Sequence, residues 1–325
     1  MEIISILKKI LVDSYRTALT LFKIMIPVTI VVKILQETNM IPFIGKVLAP
    51  IMSVTGLPGE MGLVWATTMI ANIYGGLLAL ISVYPSCPLN VAQLTILTTM
   101  MLVAHTFPIE LQVSYRAGTR FLPMFILRFG FAIVYGIILN LIYKSTGWLN
   151  EPARIAWQAS KNIDPTFMGW ILKELKNYGM ICIMIFSLIS LMEILRRIRF
   201  MELLEKAIFP LVKGIGLKKE IIPLAVIGLT LGIAYGGALM INESKQKNID
   251  RRQIFYALAL MGLCHSMIED SLLMIAVGGH WSGVFVFRIL FSFLFTWMIV
   301  RVTQNWSDEK FKKYLVRGGK SGGKL

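Results

Sequence analysis

The sequence predicts an all-α, polytopic membrane protein with two internal repeats in inverted orientation: six spanning helices, two glycine-containing re-entrant hairpins, and amphipathic interfacial helices. Three observations predict it. Of 325 residues, 56% are hydrophobic and only 16% charged. Several apolar runs reach about 20 residues, the length a hydrocarbon core roughly 30 Å thick demands of a helix. Finally, the chain matches itself at an offset of 160: Ile34 pairs with Ile194, Pro50 with Pro210, Gly56 with Gly216, Met101 with Met261, His105 with His265, Phe125 with Phe285, and Arg128 with Arg288. Such a chain is neither a soluble enzyme nor a nucleic-acid binder. Its net charge of +15 sits in short connections and termini, where basic residues set membrane orientation.

Taken in order, Lys8, Lys9 and Arg16 precede a long apolar run with no small-residue cleavage site, so this segment reads as a retained, cytoplasmic N-terminus. The first apolar helix falls at 18–36 and its copy at 177–196. An amphipathic helix follows each, with Ile44, Val47, Leu48, Ile51 and Met52 on one face, and Leu204, Ala207, Ile208, Leu211, Val212 and Ile215 in the copy. Glu202, Glu205, Lys206 and Lys213 forbid a span there, so these helices belong at the interface. Glycine-containing stretches at 60–83 and 220–241 come next, then two more apolar helices per half. The resulting organisation is a first unit at 1–147, a linker at 148–175, a second unit at 176–303, and a basic cytoplasmic tail at 304–325, glycine-rich at its end.

Charge counting decides whether the glycine stretches span or fold back. If both span, 19 Lys and Arg lie inside and 10 outside, seven of those ten in the 196–220 loop; if both are hairpins, 23 lie inside and 6 outside. The positive-inside rule prefers the hairpins, which leave three crossings per half and turn the second half upside down. Three cysteines, Cys87, Cys182 and Cys264, form no CxxC and imply no disulfide framework.

The candidate gate residues are Tyr74, Gly75 and Gly76, with Tyr235, Gly236 and Gly237 opposite them at an offset of 161. Glycine costs about 1 kcal/mol relative to alanine inside a helix, so matching pairs point to broken helices or hairpin tips, against the simpler reading of close helix packing. Asn72 adds a polar group that could meet a ligand or a neighbouring helix. His105 and His265 close the third apolar segment of each half, and each is followed by an acid five residues on, Glu110 and Asp270. In the second copy His265 and Glu269, four apart, would share a helix face and could bind a proton or a metal ion, with Cys264 beside them. Spacing fixes at most two metal ligands, so a polar substrate or proton site and plain structural contacts stand as alternatives. Arg128 and Arg288 lie inside the last helix of each half, where an unpaired guanidinium costs about 2.5–3.5 kcal/mol. Glu110 and Asp270 are the natural partners of Arg128 and Arg288 respectively. No HExxH, GxSxG or P-loop motif occurs, so no enzymatic chemistry is expected, nor any cofactor.

The blocks Tyr74-Gly75-Gly76 through Ala104-His105-Thr106-Phe107-Pro108-Ile109-Glu110, and Tyr235-Gly236-Gly237 through Cys264-His265-Ser266-Met267-Ile268-Glu269-Asp270, resemble the nucleoside recognition (Gate) family. That family includes spore maturation membrane proteins and the membrane part of ferrous-iron permeases. The resemblance implies a bacterial inner-membrane protein whose glycine and His/acid segments border a substrate cavity. The chain lacks the G-protein domain of an iron permease, and it reproduces no complete nucleoside-binding set. The expected function is therefore a permease for a small polar solute, with nucleoside-like metabolites among the candidates, working by alternating access. Two alternatives are a divalent-cation pathway and a membrane scaffold without transport. The expected partners are the lipid bilayer and a small solute or ion, with room for a homo-oligomer.

Overall fold

The protein is an all-α, multi-pass membrane protein; a computed structural model describes residues 2–155, 166–246 and 250–317. The first half comprises α1 (Glu2–Glu37), α2 (Met40–Val54), α3 (Met61–Ile70), α4 (Ile73–Val83), α5 (Val91–Val103), α6 (Phe107–Arg116) and α7 (Phe121–Thr146). The second comprises α8 (Phe167–Arg197), α9 (Phe200–Gly214), α10 (Ile222–Leu231), α11 (Ile233–Gln246), α12 (Arg251–Cys264) and α13 (Glu269–Val277). A π-helical turn (Ser282–Phe287) then runs into α14 (Arg288–Thr303), and α15 (Asp308–Tyr314) follows. Bounds recur 160 residues apart: α1 and α8 end at Glu37 and Arg197, and α2 and α9 begin at Met40 and Phe200. Left-handed residues at matching positions, Asn39 (φ 52°) and Arg199 (φ 56°), make the turns between them.

Six stretches among the described residues are long and apolar enough to cross a membrane: Lys8–Glu37, Val91–Arg116, Phe121–Thr146, Met168–Arg197, Arg251–Val277 and Ser282–Thr303. Burial separates them into layers. The most apolar window of 91–116 is 83% buried and that of 251–277 is 67%, against 22% for α1 and 28% for α8, so the first two form the centre. These central spans are discontinuous, each being two helices, α5 with α6 and α12 with α13. At the periphery α1 and α8 run antiparallel: Lys9 Nζ lies 3.4 Å from Glu193 Oε2 at one end, and Tyr178 donates a 2.8 Å hydrogen bond to Thr29 Oγ1 toward the other.

Two boundaries differ from the sequence reading. Helix α8 starts at Phe167, not near 177, because the Thr166 side chain caps it by accepting from the Gly169 amide at 3.1 Å. Residues 167–175, expected as linker, are its first turns; Trp157 and Asp164, in the same linker, lie outside the described residues, as does the glycine-rich tail from 318. The other difference concerns the glycine register. Each glycine stretch is a pair of short helices packed side by side, so that Thr68 faces Gly76 and Gly228 faces Gly236. The first pair turns through Ala71 and Asn72, the second through Gly232 alone (φ 96°). The missing residue shifts the second arms to an offset of 160, so Gly76 corresponds to Gly236, and the expected match of the two Tyr-Gly-Gly runs residue by residue does not hold.

The halves interlock around the centre. Tyr135 of α7 donates to the Gly283 carbonyl at 2.7 Å, and the Tyr143 hydroxyl lies 2.9 Å from Ser282 Oγ, so the first half clasps the π-turn of the second. Tyr84 bonds the Ala153 carbonyl at 2.5 Å at one end of the molecule. At the other end Arg120 donates to the carbonyls of Lys312 and Val316, each at 3.2 Å, and Arg252 pairs with Asp308 at 2.7 Å.

Candidate functional site

The two central spans break at equivalent points, and the breaks build the site. A helix end leaves its last carbonyls without partners. Here left-handed Thr106 (φ 49°) and Ser266 (φ 46°) stop α5 and α12 from running on. The histidines and arginines take up the freed carbonyls. His105 Nδ1 lies 3.1 Å from the Met101 carbonyl and 2.9 Å from that of Leu102, while Arg128 donates to Val103 O at 3.0 Å and His105 O at 3.2 Å. The second half repeats this: His265 Nδ1 lies 2.9 Å from Met261 O, and Arg288 donates to Leu263 O at 3.4 Å and His265 O at 2.8 Å. A cation at a helix C-terminus also answers the negative end of the helix dipole. The hairpins are tied to the breaks, since the Thr106 amide donates to Thr68 O at 3.1 Å and the Met267 amide to Leu229 O at 2.9 Å.

With both Nδ1 atoms turned back to carbonyls, the two Nε2 atoms point at each other across the halves, 3.1 Å apart. Glu110, in the first turn of α6, places Oε1 3.1 Å from His105 Nε2 and 3.2 Å from His265 Nε2. Its other oxygen lies 2.5 Å from Arg128 Nη1. Relative exposures are 4% for His105, 3% for His265, 7% for Glu110 and 1% for each arginine, so the cluster is sealed within protein. Asp270 completes it: one of its carboxylate oxygens and one nitrogen from each imidazole all lie within 4.8 Å of one another.

The structure thus gathers His105, Glu110, His265, Asp270 and Arg128 at one point. Other expected residues go elsewhere. Arg288 forms no ion pair with Asp270 among the described residues; its Nη1 bonds Ser271 Oγ at 3.2 Å, while Nε and Nη2 bond the two carbonyls. His265 and Glu269 do not share a helix, because α12 ends at Cys264 and α13 begins at Glu269. Nor does either histidine close a span, since each sits in the interior of a discontinuous one. Cys264 lies beside Arg288 and Ser292 of α14. Asn72 caps α4, its side-chain oxygen accepting from the Gly75 amide at 2.8 Å. Tyr74 reaches the neighbourhood of Glu269 and Asp270. The Tyr235 backbone belongs to α11, while its side chain is outside the described residues. Gly237 packs against Val113 of α6, so the second hairpin abuts the first half.

Sequence reasoning missed a polar cavity of about 430 Å³ between α1, α8 and the tip of the second hairpin. Lys9, Asp13, Arg16, Glu193, Arg196 and Thr230 line it, and Glu269, next to Asp270, lines it too. The signal was there in the 9, 13, 16 and 193, 196 spacings, which put charge on one face of each helix. A larger cavity of about 1090 Å³ lies between α7 and α14, lined mainly by apolar side chains, and includes none of the central residues.

Residues 18–148 match the nucleoside recognition (Gate) family. The chain is also similar to the uncharacterized membrane protein YvoD of Bacillus subtilis (strain 168), 26% identical over 308 residues that cover 93% of this chain and 96% of that protein. No solved structure matches.

Proposed function

We propose that this protein is a bacterial inner-membrane permease, without catalytic activity, that carries a small polar solute or ion by alternating access. One observation carries the reading: two discontinuous spans, one from each half, break beside each other and bring ionisable side chains of both halves into contact. Broken helices at a shared centre are how secondary transporters expose backbone and charge to cargo without exposing them to lipid. Three further features support it. The antiparallel run of α1 and α8, equivalent by their bounds, fits inverted units with three crossings each. Arms of 10 or 11 residues in α3, α4 and α10 extend about 15 Å, half the hydrocarbon thickness, as re-entrant hairpins require. The cavity beside α1 and α8 supplies a polar approach, on the side where the positive-inside count puts both termini in the cytoplasm.

The test is uptake into proteoliposomes containing the purified chain, challenged with labelled nucleosides, amino acids and divalent cations, with Glu110→Gln proteoliposomes as the reference. At least one solute should accumulate faster with the unaltered protein. Equal rates for the whole panel would point to a scaffold and defeat the permease reading.

A further inference from the structure

The central cluster has a chemical property that the permease reading does not require. A backbone carbonyl only accepts, so an imidazole nitrogen bonded to one must carry the hydrogen. His105 Nδ1 faces the carbonyls of Met101 and Leu102, the nearer at 2.9 Å, and His265 Nδ1 faces that of Met261 at 2.9 Å. In the neutral rings both Nε2 atoms are then lone pairs. Those two lone pairs and Glu110 Oε1 form a triangle with edges of 3.1, 3.1 and 3.2 Å, and among the described residues no other side chain or amide donates a hydrogen bond into it. Three acceptors this close repel unless a cation lies among them. A single proton fits one edge and leaves another uncompensated, whereas a metal ion meets all three lone pairs at once.

We propose that His105, Glu110 and His265 bind a divalent transition-metal cation, with Asp270 supplying or positioning the fourth ligand. The dimensions fit. Four ligands about 2.0–2.2 Å from a tetrahedral metal stand about 3.3–3.6 Å apart, close to the observed edges. Two imidazoles with one or two carboxylates select a borderline metal over calcium or magnesium, which take oxygen ligands. The outer groups are those a metal site needs: carbonyls hold each Nδ1 and thereby fix ring orientation, and Arg128 holds the free oxygen of Glu110. Ligands come from both halves, so the cation bridges them. Arg128 and Arg288, both buried beside it, oppose a dication and keep the site from becoming a trap, as release of a cargo demands. Asp13, Glu193 and Glu269 put carboxylates along the adjoining cavity, alternating with Lys9, Arg16 and Arg196.

This inference names the cargo class of the permease and rests on that reading only for the cation being carried; the binding itself stands apart. The experiment uses full-length protein in detergent or nanodiscs, titrated with Co²⁺ and followed by its ligand-field absorption and by calorimetry. One Co²⁺ per chain in a four-coordinate spectrum is expected. His105→Gln, His265→Gln and Glu110→Gln should each weaken binding at least tenfold, while Cys264→Ser and Glu269→Gln keep the spectrum. Gel filtration and thermal unfolding identify variants that fail to fold, and Asp270→Asn provides a second handle through a changed spectrum. No Co²⁺ binding by folded protein, or binding that survives His105→Gln/His265→Gln, overturns the metal site. Co²⁺ binding without Co²⁺ uptake by proteoliposomes leaves the site standing and counts against metal as cargo. Uptake of another solute by protein that binds no Co²⁺ sinks this proposal and spares the permease.

Discussion

Arg128 and Arg288 occupy the same place in their halves, yet they carry different loads. Both cap a broken helix, but among the described residues it is Arg128, not Arg288, that forms an ion pair with a buried carboxylate. Removing one partner of a buried ion pair costs about 3–5 kcal/mol, because the other charge is left alone. Arg128→Met should therefore lower the thermal midpoint more than Arg288→Met, and Arg128→Met/Glu110→Gln should recover part of the loss. Thermal unfolding in detergent checks the order; a reversed ranking would mean that capping, not pairing, dominates. His105, Glu110, His265 and Asp270 were legible in the sequence because two copies marked them at one spacing. What they touch was not. Periodicity relates residues on one helix, whereas the decisive contact, Nε2 to Nε2, joins residues 160 positions apart.

At the level of elements, the hairpins depend on particular glycines. A Cβ on Gly76 would overlap Thr68 Oγ1, and one on Gly236 would stand 2.5 Å from the Gly228 Cα, which is backbone and cannot rotate away. At Gly75 the nearest atom would be 3.3 Å off. Gly236→Ala should thus destabilise the protein by about 1–3 kcal/mol, the range for overpacking, with Gly76→Ala close behind and Gly75→Ala mild. Thermal midpoints for the three variants test this, and equal effects would count against the tight hairpin. The sequence marked the glycine runs but not which glycine faces the partner arm, since a tip one residue shorter changes the register. Helix α15 allows a pH test. Hydrogen bonds and charge from Arg252 hold the Asp308 carboxyl below its ordinary value. Its stabilising contribution is full above the unfolded value of about 3.9 and is lost as pH falls through the lower folded value. Amide exchange at Phe311 and Leu315 should accelerate in that acid range for the unaltered chain and lose this dependence in Asp308→Asn. An unchanged acid dependence in the variant would assign it to another group.

For the whole molecule, the orientation of the halves is the quantity most open to direct measurement. With Cys87, Cys182 and Cys264 replaced by serine, Lys46→Cys on α2 and Lys206→Cys on α9 should react with an impermeant thiol reagent from opposite faces of the membrane. Reaction from one face would show parallel halves and remove the basis for alternating access. The all-helical architecture with six long apolar spans could be read from composition and spacing, because bilayer thickness acts on the chain directly. The polar cavity could not, because charges near the ends of α1 and α8 look like orientation signals until the two helices are seen side by side. The pairing of His105 with His265 has one more implication. In the inverted arrangement proposed above, the two rings would meet near the line about which one half is turned to give the other. If the halves trade shapes, that line stays still, and a load held there need not travel, since doors could open above and below it in turn.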